Sequence, residues 1–453
     1  MEEVIGFISD IVWGPPMLIL IVGAGLYLTL RLGFLQFRTL PYALKLAFSP
    51  ARQDKESKGD ISHYQALTTA MAATIGTGNI VGVATAVVLG GPGAVLWMWV
   101  TALLGMATKY SEAILAVKYR EVNSKGEISG GPMYYLEKGL KAKWLGVLFA
   151  IFGSCAAFGI GNMVQSNSVS KAMSDSFNVP SWVTGILLTF LVGLVILGGI
   201  KSIGRVTSFF VPIMAAFYVL GGIIIMILNF DLVPQAVGLI FNDAFTGSAL
   251  GGGILGTVIR YGVARGVFSN EAGLGSAPIA AAAAKTDLPG RQALVSMTQV
   301  FIDTIIVCSI TGITIVMADM YGGGLEGGDL TTASFSAFLG STGGYIVTIG
   351  IVLFAFSTLV GWSYYGEKCF AYLFSDKAIP YYRIVFVAAV MYGAMEELSV
   401  VFGISDIMNA LMAAPNLIGL IGLSGVVVYE TKRFLKVAKE EKLQDKERKA
   451  RVG

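Results

Sequence analysis

The sequence predicts an all-α polytopic membrane protein with about eleven transmembrane helices, and three observations predict it. Hydrophobic residues make up 55% of the 453 residues and charged residues only 13%, against roughly 25% charged in soluble domains. Apolar runs recur along the whole chain near the length of about 20 residues that a bilayer core of about 30 Å requires. Basic residues collect in every second polar segment between those runs, as cytoplasmic loops require.

Windows of about 19 residues place the helices at roughly 12–34, 63–89, 92–120, 143–172, 181–200, 206–229, 249–282, 292–318, 343–372, 383–400 and 404–429. Glu2, Glu3 and Asp10 precede the first run and no small-residue cleavage site follows it, so it reads as a retained helix rather than a signal peptide. Segment 231–247, with Pro234 and Gly238, is too short to span and is expected along the outer surface. Residues 1–453 read as one integral membrane domain.

The segments after the odd-numbered helices hold, in turn, Arg38, Arg52, Lys55 and Lys58; Lys125, Lys138 and Lys141; Lys201 and Arg205; Lys285 and Arg291; Lys377; and a basic tail over 430–453. Segments 173–180, 230–248, 319–342 and 396–403 carry instead Asp175, Asp231, Asp243, Asp319, Glu326, Asp329, Glu396 and Glu397. The positive-inside rule then puts the N-terminus outside and the C-terminus in the cytoplasm, in a plasma or inner membrane. A missed helix would scramble this alternation, which keeps its phase to the end. The tail from Thr431 to Gly453 mixes Lys, Arg and Glu and reads either as a short solvated helix or as a contact with anionic lipid.

Composition and motifs exclude several function classes. A net charge of +3 gives no reason to expect a nucleic-acid partner. Cys155, Cys308 and Cys369 lack paired or metal-type spacing and read as packing residues. His63 is the one histidine, and no Ser/His/Asp, Cys/His, HExxH or P-loop arrangement occurs, which argues against an enzyme, a resident cofactor and an ATP-driven pump. A channel would need a repeated filter motif or an arginine ladder, and neither is present. An ion gradient is left as the energy source.

Two spans are broken by glycine in mid-membrane. The second contains Thr74-Ile75-Gly76-Thr77-Gly78-Asn79-Ile80-Val81-Gly82, and the seventh contains Gly266 to Ser276 with Gly273 and Gly275. Such clusters either pack helices closely or free backbone groups that must meet protein, water or ligand. The breaks stand five spans apart, so the two helices cross in opposite directions, as an inverted repeat requires. Helices over 63–229 and 249–429 are the two halves that the family resemblance given below implies, with 12–34 extra. At such breaks helix N-termini favour a carboxylate, while carbonyls and hydroxyls favour a cation.

At these residues the sequence resembles the alanine or glycine:cation symporter family, a branch of the five-plus-five inverted-repeat transporters known as the LeuT fold. The stretches that carry the resemblance are Gly25-Leu26-Tyr27-Leu28-Thr29, Ile75 to Asn79, Gly91-Pro92-Gly93 with Trp97, Gly130-Gly131-Pro132-Met133-Tyr134-Tyr135, Arg265 to Pro278, and Phe356 to Gly366 with Trp362. The resemblance implies symport of a small neutral amino acid, alanine or glycine, with sodium or occasionally a proton. By position, Ile75, Gly76, Thr77, Gly78 and Asn79 look like the unwound segment that binds substrate carboxylate, and Phe268 and Ser269 like the aromatic-hydroxyl pair of the other break. Ser357 and Thr358, with the carbonyls of Ala72 and Ile75, look like a sodium site.

Other residues keep two readings open. Asp303, costly inside a span, either completes a second cation site with Asn79 and Ser269 or pairs with Arg260 or Arg265. Glu271 either pairs with Arg265 and shapes the broken helix or meets the substrate amine. Gln165 is either a ligand to the amino acid or an interhelical hydrogen bond. Asn270 either caps the restarted half-helix or contacts substrate. Trp362, one turn beyond the two hydroxyls, either walls off the pocket or packs. Lys109 and Glu112 are spaced to pair along the third span as helix support. Asp303 keeps a proton-coupled cycle as the alternative, whereas hydroxyls and carbonyls at Ser357 and Thr358 suit a hard cation.

Overall fold

The computed structural model describes residues 2–49, 57–245, 254–396 and 399–452. Arg52, Lys55, Glu397 and residues 249–253 of the seventh window lie outside the described residues. Every window contains helix, since a backbone carried into lipid must satisfy its own N–H and C=O groups. Among the described residues seven helices are long and apolar enough to cross a membrane: Ala94–Lys118, Lys143–Phe177, Gly199–Leu228, Pro289–Ala318, Ser341–Phe374, Asp376–Met395 and Val400–Gly422. Two bent pairs raise the number to nine if each is one span: Pro15–Arg31 with Leu35–Phe48 at 83°, and His63–Thr74 with Thr77–Gly90 at 61°. The windows at 181–200 and 249–282 hold Ser181–Ile196, and Ile254–Asn270 with Pro278–Ala282.

Helix also forms outside the windows. After Pro15–Arg31 the chain turns through left-handed residues Gly33 and Phe34 into Leu35–Phe48, held by buried Gln36, whose Nε2 donates to Thr29 Oγ1 at 2.9 Å and Leu103 O at 3.2 Å. The short 231–247 segment folds as Leu232–Asp243, and Asp243 Oδ2 accepts from Gly93 N at 2.8 Å. Gly327–Leu339, inside a segment read as loop, sends Thr331 Oγ1 to Ile80 O at 3.1 Å, satisfying a carbonyl beside the first break. The tail is one helix, Ser424–Val452, in which Glu430, Thr431 and Phe434 are buried, Lys432 and Arg433 are exposed, and Glu430 and Glu441 pair with Lys118 and Arg291, each at 2.6 Å.

Packing places both breaks at the centre. The Ala94–Lys118 helix lies against Ile254–Asn270 and Pro289–Val300, while Ser341–Phe374 lies against Lys143–Phe158 and His63–Thr74. Val81–Gly90 packs on Ile254–Asn270 and so joins the two broken helices. Two long helices contain wide π-turns, Gly159–Met163 and Phe301–Cys308, a feature that often marks functional positions. Phe190, Leu194, Phe209, Ile227 and Ile384 remain exposed on peripheral helices, as a lipid-facing surface allows. Cys155 is likewise exposed, so it is not a packing residue, whereas Cys308 and Cys369 are buried.

Candidate functional site

The first break begins where His63–Thr74 stops. Its start is fixed by a capping box in which Ser62 Oγ accepts from Gln65 N while Gln65 Oε1 accepts from Ser62 N. Ile75 and Gly76 are extended, Thr77–Asn79 form one tight turn, and helix resumes at Val81–Gly90. Gly76 has no room for a side chain, because a Cβ there would stand 2.4 Å from Thr358 Oγ1. Asn79 closes the turn, its Oδ1 accepting from Gly76 N at 2.9 Å. Thr77 N donates to Gln165 Oε1 at 3.4 Å, a long and weak bond. Gln165 Nε2 donates to Ile160 O inside the first π-turn at 3.0 Å.

The second break follows Ile254–Asn270. Glu271 lies in the left-handed region at φ 56°, and Gly273 and Gly275 follow at 95° and 85° before helix restarts at Pro278–Ala282. A glutamate held there is strained and needs fastening. Lys109 Nζ donates to Glu271 O at 3.0 Å, Trp362 Nε1 donates to its carboxylate at 2.9 Å, and Ser276 Oγ does so at 2.5 Å. Glu271 is therefore bound to Trp362 and Ser276, not to Arg265, whose guanidinium stacks on the Phe268 ring at 5.6 Å. Glu112 Oε1 accepts from Gly273 N at 3.1 Å and from Asn416 Nδ2 at 2.7 Å. Lys109 and Glu112 do pair, at 4.0 Å, but both are buried and serve the break rather than their own helix.

One buried cluster joins the two breaks. Asn79 Nδ2 donates to Asp303 Oδ1 at 2.8 Å, and Ser269 Oγ and Thr304 Oγ1 each donate to Asp303 Oδ2 at 2.8 Å. Asp303 sits in the second π-turn, and its carbonyl also accepts from Asn79 at 3.2 Å. Asp303 thus bonds to Asn79 and Ser269, the two residues named beside it from the sequence. Cys308 Sγ lies 3.3 Å from Asn79 Nδ2 and 3.2 Å from Ser269 Oγ, a place its apolar neighbours in sequence did not signal. Gln299 Nε2 adds a second link, donating to Thr74 Oγ1 and Asn270 O. The Asn270 amide is engaged within the protein, its oxygen by Ala272 N and its nitrogen by Thr304 Oγ1.

Beside the first break the oxygens of Ala72, Ile75, Ser357 and Thr358 come together. Ser357 Oγ lies 3.1 Å from Ala72 O, 3.3 Å from Ile75 O and 2.8 Å from Phe354 O, and Thr358 Oγ1 donates to Phe354 O at 3.0 Å. A single hydroxyl hydrogen serves only one of three carbonyls, and Phe354 O already accepts from Thr358 Oγ1. A cavity of about 260 Å³ is lined by Thr77, Gly78, Ile160, Arg265, Phe268 and Asp406. The Phe268 ring forms its floor against Gly78, where a Cβ would meet the ring at 3.2 Å.

Comparison with known proteins gives the chain's family. A model of the sodium:alanine symporter family matches residues 1–449. The sodium/alanine symporter AgcS of Methanococcus maripaludis is 60% identical over 447 residues, covering 97% of this chain and 98% of that protein. The probable sodium/glutamine symporter GlnT of Bacillus subtilis is 37% identical, covering 97% and 92%. The crystal structure of MhsT in complex with L-phenylalanine matches with a TM-score of 0.61 at 16% identity over 83% of this chain and 93% of that one, a likeness of fold alone. The whole-length family match and the two joined breaks lead to one conclusion: the chain belongs to the sodium:alanine symporter family, multi-pass membrane transport proteins and not enzymes.

Proposed function

We propose that this protein carries alanine, and with it glycine, into the cell together with sodium by alternating access. Its helices then cross the membrane eleven times as one N-terminal helix and a five-plus-five inverted repeat, with the N-terminus outside and the C-terminus in the cytoplasm. The observation that carries the reading is Asn79, whose side chain closes its own break through Gly76 N and reaches Asp303, which holds Ser269 of the other break. A cation at this point touches both broken helices at once.

Asp303 accepts from three donors, the pattern of an ionised carboxylate. A buried charge of that kind calls for a partner of opposite sign, and sodium beside Asn79, Ser269 and Asp303 neutralises it. A second sodium lies among Ala72 O, Ile75 O, Ser357 Oγ and Thr358 Oγ1, neutral hard oxygens suited to such an ion. Binding turns the Ser357 hydrogen toward Phe354 O and its lone pairs toward sodium. The substrate carboxylate takes Thr77 N from Gln165 and meets the amides of the Gly76–Gly78 turn, while Phe268 covers the small side chain. Trp362, fixed by Glu271, limits its length.

The name of AgcS supports alanine as substrate, whereas GlnT is named for glutamine. The test is uptake of labelled L-alanine into proteoliposomes under an inward sodium gradient, an inward proton gradient, or neither. Uptake above equilibrium with sodium alone supports the proposal. Uptake driven only by the proton gradient assigns Asp303 to a proton and removes sodium from the cycle.

A further inference from the structure

One end of each broken helix meets a single guanidinium. Arg120 follows the last turn of Ala94–Lys118. Its Nη1 donates to the carbonyls of Ala282 and Ala284 at 2.8 and 2.6 Å, and its Nη2 to those of Lys58 and Thr286 at 2.8 and 3.5 Å. Residues 58–62 lead directly into His63–Thr74, the first half of the first broken helix, and residues 282–286 leave Pro278–Ala282, the last half of the second. A planar fork with five donors can serve both segments at once, which a lysine ammonium on its flexible stem cannot match.

The two segments also touch. Asp60 N and Ile61 N donate to Ala283 O at 2.8 and 3.3 Å, and Lys285 N donates to Ile61 O at 2.7 Å, forming an isolated parallel bridge between Ile61 and Ala284. A Cβ on Gly59 would stand 2.4 Å from Lys285 N, so the approach depends on glycine. Behind them the support is fixed, since Asp60 Oδ2 accepts from Ile128 N at 2.8 Å in the hairpin Glu121–Val122 with Ile128–Ser129, which begins at the residue after Arg120. Ala282 O closes a short helix, where the backbone dipole favours a cation. The Lys58 contact is solvent-exposed, so water can replace it when the junction opens.

From this geometry we infer that Arg120 is the staple of an inner gate: it holds the cytoplasmic ends of both broken helices together, and its release opens the path for the amino acid into the cell. The inference rests on the transport reading above and names a positioning residue that touches neither substrate nor sodium.

Amide hydrogen exchange on the purified full chain tests it, with Arg120→Ala, Arg120→Lys and Gly59→Ala, in sodium and in choline, alongside sodium-driven uptake and equilibrium alanine binding. The expected result is exchange about tenfold faster in both 57–75 and 278–288, with Lys143–Phe177 and Ser341–Phe374 unchanged. Maximal uptake falls at least about tenfold while sodium-dependent binding stays within about threefold. Arg120→Lys falls between the two. Faster exchange in one segment or in neither, or faster exchange in both with normal maximal uptake, overturns the gate. Should Arg120→Ala fail to give monodisperse protein, Arg120→Lys and Gly59→Ala decide by the same readings. Exchange is read without reference to substrate, so absence of sodium-driven uptake in the unaltered protein overturns the transport reading and leaves the exchange result to judge the staple.

Discussion

Asn79 Nδ2 stands 2.8 Å from Asp303 Oδ1, joining the turn that interrupts the first broken helix to the π-turn of a neighbouring span. The same Asn79 amide, through its oxygen, holds Gly76 N. One side chain thus couples backbone shape at the proposed carboxylate site to a buried charge at the proposed cation site. Binding of either ligand changes the cost of the other, and that is the physical content of coupling.

Asn79→Ala removes both bonds and leaves a buried carboxylate short of a donor, a loss of roughly 1.5–3 kcal/mol for hydrogen bonds to charged groups. Sodium-driven alanine uptake should fall at least about tenfold, with protein still present in the membrane at near-normal amounts. Uptake by this variant at the unaltered rate, with the same sodium dependence, removes Asn79 from the site.

At the hydroxyl site, Thr358→Ala deletes an oxygen from a neutral set, whereas Thr358→Ser keeps it. The alanine variant should need about tenfold more sodium for half-maximal uptake and the serine variant less than about threefold more. Sodium titrations of initial uptake rate distinguish the two, and equal curves for both remove Thr358 from the cation's ligands.

The two glycines of the first break differ in what surrounds them. A methyl group at Gly76 meets Thr358 Oγ1 at 2.4 Å, and one at Gly78 meets the edge of the Phe268 ring at 3.2 Å, which can give way. Gly76→Ala should abolish alanine binding; Gly78→Ala should weaken it by about tenfold or less. The reverse order in equilibrium binding contradicts the arrangement of the turn.

The buried Lys109–Glu112 pair makes a stability prediction. Lys109→Met strips Glu112 of its cation and Glu271 O of its donor, and breaking a buried pair costs about 3–5 kcal/mol. The melting temperature should drop by roughly 3–5 °C. The double variant Lys109→Met with Glu112→Gln should recover part of the loss, because Glu112 is then no longer a buried charge without its cation. Thermal unfolding with the double variant below the single one rules out pairing as the reason.

Much of this was legible in the sequence because bilayer and backbone impose simple rules. Apolar length gave the windows, and paired glycine clusters gave both breaks. A carboxylate inside a span signals that Asp303 needs a partner, while only the family resemblance groups it with Asn79 and Ser269. What stayed hidden came from contacts between distant segments. Lys109 and Glu112 look like a pair that steadies one helix, since spacing of three says nothing about which way the side chains reach; in the fold they hold residues 271 and 273. Glu271 was drawn to Arg265 by charge, but the ring of Phe268 holds that guanidinium and Trp362 supplies the carboxylate's donor. The π-turns that aim Gln165 and Asp303 leave no trace in hydropathy. Leu35–Phe48 and Gly327–Leu339 escaped because they are too short or too polar to pass a spanning window.

The most direct test of sodium coupling at the joined breaks is equilibrium binding of labelled L-alanine to the purified protein in sodium chloride and in choline chloride, for the unaltered chain and Asp303→Asn. The account predicts saturable binding by the unaltered chain in sodium and none in choline, with binding in sodium weakened at least about tenfold by Asp303→Asn. Equal binding in both salts, or full sodium-dependent affinity without the Asp303 charge, contradicts it.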